Sequence, residues 1–130
     1  MDNEGLVRET WAAISGGDLS GLEALLAPDA KWRAVEDGPW NCQNREAILE
    51  RMRANRRQRG LSGSIEEVTD FGDRVMIAFR PDLDPGQEWD EPWPLSDGVR
   101  YHVVTLRDGQ IVEMRGCADR KAALAYAEAG

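Results

Sequence analysis

The sequence predicts an α+β domain in which helices cover one face of a curved antiparallel sheet. Three observations predict it. Apolar residues recur at helical spacing through most of the N-terminal half, alternate with polar ones through most of the C-terminal half, and are punctuated by hairpin-type turns there. The chain is 130 residues long, which suits a single domain (1–130) with a core of its own.

The elements follow in order. Leu6, Val7, Thr10, Trp11 and Ile14 make one apolar face of a first helix, which Gly16-Gly17 ends. Asp18 has the chemistry to cap a second helix that ends before Pro28 and buries Leu19, Leu22, Leu25 and Leu26. Ala30, Trp32 and Ala34 then alternate with Lys31 and Arg33, the period of a half-buried strand. A loop carrying Gly38-Pro39 and Trp40 follows. Asn44 opens a third helix through about Gln58, with Ala47, Ile48, Met52 and Asn55 turned inward. Residues 64–71, 74–80, 99–107 and 110–118 read as four antiparallel strands. Phe71-Gly72-Asp73 and Arg107-Asp108-Gly109 sit where tight turns are required, the second with the Asp-Gly pair such turns favour. A short helix, Asp119 to Ala127, completes the pattern.

Charge and composition narrow the function. Sixteen basic against 24 acidic residues give −8, which argues against a duplex DNA binder, since that must neutralise phosphates with an excess of Lys and Arg. No apolar run approaches a membrane span, and MDNEGLVRET lacks the layout of a signal peptide, so a cytoplasmic protein is expected. Cys42 and Cys117 fit reduced thiols, with one bridge left open. Arginine outnumbers lysine fourteen to two, a usage that hints at a GC-rich bacterial genome. Six arginines at positions 45, 51, 53, 56, 57 and 59 against Glu46 and Glu50 make the third helix locally basic, a patch that could bind RNA or a polyanion but is better read as a solvated face. Two distant cysteines and one histidine make no zinc site, and Asp82–Glu88 lacks the spacing of a calcium loop. No metal or cofactor is expected.

The segment Pro81–Asp97 differs in kind. It holds six acidic residues, no basic one, four of the six prolines and two of the five tryptophans, Trp89 and Trp93. Such a loop in a small domain reads as a lid or a partner-facing flap.

The order of elements, with several short motifs, resembles the nuclear-transport-factor-2-like superfamily and its SnoaL-like group. The resemblance is carried by Ala13-Ile14-Ser15-Gly16-Gly17-Asp18, Leu25-Leu26-Ala27-Pro28-Asp29-Ala30, Asn44-Arg45-Glu46-Ala47-Ile48 and, above all, Arg107-Asp108-Gly109-Gln110-Ile111-Val112-Glu113-Met114-Arg115, followed by Asp119-Arg120. It covers nearly all of the chain except the acidic loop. It implies a cone-shaped α+β roll, a bent sheet wrapped around N-terminal helices with an apolar pocket between them, and often a homodimer through the outer face of the sheet. Matching to the family turns Trp32, Ala34, Arg74, Met76, Ala78, Arg100, His102, Val104, Met114 and Gly116 toward that pocket.

The fold hosts isomerases, dehydratases, epoxide hydrolases, cyclases and non-catalytic binders, so the residues must choose. A steroid-isomerase-like site places a carboxylate base where Ala34 stands and a protonated acid where His102 stands. A limonene-epoxide-hydrolase-like site retains only its arginine, at Arg74. A SnoaL-like cyclase places its acid/base aspartate on Asp119. The resemblance therefore nominates His102 and Asp119 as catalytic residues, and Trp11, Trp32, Trp40, Arg74, Met76, Arg100 and Met114 as substrate-binding ones. Each has a plainer reading: Asp119 as a helix cap, His102 as a core residue, the arginines as ion-pair partners and the tryptophans as packing. Two functions follow. One is a small-molecule enzyme performing isomerisation, cyclisation or dehydration by proton transfer on an apolar oxygenated substrate; the other is a non-catalytic ligand-binding or dimerisation module. A third, weaker expectation is a protein-docking scaffold that uses the acidic loop.

Overall fold

In a computed structural model, residues 3–16, 18–33, 41–59, 63–81 and 99–129 are described. Ala34, Trp40 and positions 82–97 of the acidic loop lie outside them. The elements run α1 (Asn3–Ser15), α2 (Ser20–Leu25), β1 (Leu26–Arg33), α3 (Arg45–Arg59), β2 (Gly63–Asp70), β3 (Arg74–Pro81), β4 (Arg100–Arg107), β5 (Gln110–Cys117) and α4 (Arg120–Ala129).

Local chemistry accounts for the boundaries. Asp18 Oδ1 accepts the Ser20 backbone N–H at 2.9 Å and its hydroxyl at 2.6 Å, a turn just before α2, whose N-cap is Leu19 and not the expected Asp18. Asn44 Oδ1 accepts the Ala47 N–H at 2.9 Å, and α3 begins at the next residue after this cap. Asp108 and Gly109 take φ of 53° and 76°, the paired left-handed residues of the tight turn between β4 and β5. The second helix stops earlier than its sequence suggests. Leu26 and Ala27 belong to β1, and Pro28 is tolerated there because β1 is an edge strand whose register shifts between Leu26 and Lys31.

The five strands form one curved sheet in the order β1-β5-β4-β3-β2. β2 to β5 pair antiparallel, as their hairpins dictate, whereas β1 pairs parallel with β5. The sequence could not reveal that direction, because α3 intervenes and no turn joins the two strands. Register shifts between Ile65 and Glu67 and between Thr105 and Leu106 mark the bends.

Two apolar layers flank the sheet. On the inner face Val75, Ile77, Phe79, Val104, Ile111 and Met114 pack with Val7, Trp11, Leu22, Ile48 and Leu49 of the first three helices. On the outer face Met76, Ala78, Tyr101, Val103 and Cys117 pack with Ala123 and Ala127 of α4. Two expectations change here. Helices lie on both faces, not one. Arg74, Met76 and Ala78 belong to the outer face, not to the pocket side, because β3 is apolar on both sides and its alternation carries no sign. Cys42 and Cys117 are buried thiols not joined in a disulfide, and they belong to different layers. Among the described residues no helix is long and apolar enough to cross a membrane.

Candidate functional site

The inner face of β4 carries Arg100, His102 and Val104, with Phe79, Ile77 and Val75 or Gly116 and Met114 beside them in register. Arg100 is 4 % exposed and His102 8 %; with Thr10 they are the buried polar residues among those described. Among the described residues no carboxylate shares that burial. Thr10 is satisfied within α1, its hydroxyl donating to the Leu6 carbonyl at 2.8 Å. Two ionisable side chains in an otherwise apolar layer are costly unless the fold has a use for them.

His102 illustrates the electrostatics. Burial, reinforced by the Arg100 charge, pushes its pKa down to about 3, so the imidazole is neutral at physiological pH. Its ring meets Trp32 of β1 edge to face, with centroids 6.1 Å apart and planes at 63°. Trp32 is itself fixed by its backbone: its N–H donates to the Cys42 carbonyl at 3.0 Å and its carbonyl accepts from Cys42 at 2.8 Å. Its other edge pairs with Met114 of β5. The indole N–H is buried and makes no hydrogen bond among the described residues. The sequence marked Trp32 as a wall residue; its polar atom needs the three-dimensional contacts to be noticed.

The nominated residues thus separate into two groups. Trp11, Trp32, Arg100, His102 and Met114 are buried on the inner side. Arg74 and Met76 stand on the outer face, where Arg74 Nη1 donates to the Tyr126 carbonyl at 2.5 Å. Asp119 is exposed at the start of α4, where Oδ1 accepts the Ala122 N–H at 2.8 Å and its carbonyl accepts from Ala123 at 3.1 Å. That is a helix cap. Trp40 and Ala34 fall outside the described residues. Two surface depressions, of about 260 Å³ beside Arg74 and Thr105 and about 230 Å³ beside Cys117 and Tyr126, are lined by neither Arg100 nor His102. Among the described residues no group of three or more His, Cys, Asp or Glu side chains is placed to hold a metal ion.

A mixed, curved sheet with helices against its inner face and a buried polar pair at its centre defines a class of small α+β rolls. Residues 7–114 match the SnoaL-like domain family, and the chain belongs to it. No curated protein matches the sequence. Solved structures share the fold at low identity. A candidate polyketide cyclase from Sinorhizobium meliloti is 22% identical over 86% of this chain and 93% of its own, with a TM-score of 0.66. A nuclear-transport-factor-2-like protein from Burkholderia pseudomallei is 22% identical over 92% of both chains, with a TM-score of 0.66. An epoxide hydrolase from Mycobacterium tuberculosis is 17% identical over 94% of this chain and 86% of its own, with a TM-score of 0.67.

Proposed function

We propose that this SnoaL-like protein binds an apolar, oxygen-bearing small molecule against the inner face of its sheet. The pair Arg100 and His102, buried two residues apart on β4 among apolar side chains, carries this reading. A guanidinium offers five N–H donors, more than a single partner occupies, and a neutral imidazole offers one. A carbonyl, enolate or carboxylate oxygen suits that donor pair, and Trp11, Trp32 and Met114 supply apolar surface for a carbon skeleton.

Binding without turnover is the form the geometry favours. An imidazole with a pKa near 3 is a feeble base at neutral pH, and Asp119 is committed to its cap. A catalytic form draws on the same pair. There, neutral His102 would polarise a carbonyl while Arg100 stabilised the developing oxyanion, in an isomerisation or cyclisation whose base comes from another group. The candidate cyclase among the structural relatives is what favours it.

Thermal-shift and tryptophan-fluorescence titrations with 2-naphthoate, 2-acetonaphthone and naphthalene test the binding reading. The wild type is expected to be stabilised most by 2-naphthoate, and Arg100→Met and His102→Gln to lose that preference. Equal stabilisation by 2-naphthoate in folded wild type and both variants would sink the reading.

A further inference from the structure

We infer that the indole N–H of Trp32 is a ligand-directed hydrogen-bond donor that joins Arg100 and His102 in recognising an acceptor oxygen. The inference rests on the small-molecule reading of the inner face and deepens it by assigning a specificity-determining residue on β1.

Trp32 is 5 % exposed, and its Nε1–H is buried with no hydrogen-bond partner among the described residues. An indole can only donate, and buried indoles normally find an acceptor, so an unanswered N–H is a cost without any structural return. The position is also held in place. Cys42 bonds the Trp32 backbone in both directions, Met114 pairs with it across the sheet, and the ring rests against His102. This arrangement fixes a donor in advance of binding, so little ordering remains to be done when an acceptor arrives.

The donor set specifies the ligand's chemistry. Arg100 and Trp32 donate and never accept, whereas neutral His102 has one donor and one acceptor nitrogen. Gly116, in register with His102, adds no side chain to the inner face. An apolar molecule bearing a carbonyl, enolate or carboxylate is therefore matched, while an amine in the same place meets donors and a positive charge. Selection against the wrong ligand follows from unpaired polar groups, as strongly as from contacts made with the right one.

Two-dimensional 1H–15N spectra of the indole N–H groups test this in the wild-type protein, with Trp32 assigned by Trp→Phe replacements. The Trp32 indole signal is expected to move downfield on adding 2-naphthoate or 2-acetonaphthone and to stay unmoved by any hydrogen-bond effect of naphthalene. Trp32→Phe, which keeps an aromatic wall, is expected to bind the two oxygen-bearing probes about tenfold more weakly, with naphthalene affinity nearly unchanged. Oxygen-bearing probes that bind the wild type without perturbing the Trp32 indole, or that bind Trp32→Phe equally well, overturn the donor role and leave the Arg100–His102 reading standing. Failure of every probe to bind the wild type overturns both. The wild-type spectra decide the matter even where Trp32→Phe does not fold.

Discussion

The guanidinium of Arg74 lies 4.1 Å from the centre of the Tyr126 ring and ties the outer face of β3 to the last turns of α4. Arg115 also lies over that ring, at 4.6 Å, and the Tyr126 hydroxyl donates to Glu113, whose other oxygen accepts from Arg33 at 3.2 Å. The fully buried side chains of α4 are two alanines, with Leu124 and Tyr126 packed beside them, and these polar ties add to that apolar contact. Tyr126→Phe removes one hydrogen bond to a carboxylate and is expected to lower stability by about 1–2 kcal/mol in urea unfolding. Tyr126→Ala also removes the ring and should cost more. Wild-type stability in Tyr126→Ala would show that α4 is held otherwise.

Asp119 separates the cap from catalysis. Asp119→Ala should cost about 1 kcal/mol of stability, and Asp119→Asn, which still accepts the Ala122 N–H, should recover most of it. Ligand affinity should be unchanged in both. A variant of full stability that loses binding would move Asp119 from the helix end to the site.

His102 gives the protein an acid-sensitive fold. Its folded pKa, near 3, lies below the ordinary 6.5, so the unfolded chain takes up a proton that the folded one refuses. The contribution is fully present above the ordinary value and is lost as pH falls toward the folded one. The slope from this group reaches at most about 1.4 kcal/mol per pH unit. Replacing His102 by Phe should flatten stability measured between pH 7 and pH 4. An unchanged slope in a folded variant would refute the assignment.

Gly63 begins β2 with no room for a side chain. A Cβ there would meet Phe79 Cζ at 2.4 Å and the Arg80 carbonyl oxygen at 2.5 Å. The backbone contact cannot be relieved by a rotamer change, so Gly63→Ala should destabilise by about 1–3 kcal/mol. Gly21, which has nothing within 4 Å of its Cβ position, is the control: Gly21→Ala in α2 should be neutral or stabilising. Equal melting temperatures for Gly63→Ala and wild type would contradict the packing.

How far the sequence could be read depended on contrast between faces. Asn44 announced its helix start because capping is local chemistry, whereas Asp18 marks a turn one residue before the N-cap of α2. The Asp108-Gly109 turn fixed the β4–β5 hairpin for the same reason. On β4, only the family match offered a face for Arg100 and His102, since the strand is buried on both sides. On β3, Val75 to Phe79 are buried without a break, and a continuous apolar run does not say which residues face which layer. Arg74 was misplaced on that account. Trp32 and His102 are brought together across the sheet from distant parts of the chain, a contact beyond any local pattern.

The parallel pairing of β1 with β5 has a kinetic consequence. Leu26 pairs with Ile111 and Trp32 with Met114, so the first strand gains its sheet neighbour only when the last strand has been made. During synthesis, the apolar side of β1 must wait while α3 and three strands are assembled. Closing so long a loop late makes for slow folding, and it leaves nascent chains short of β5 with an unshielded strand that invites chaperones or aggregation.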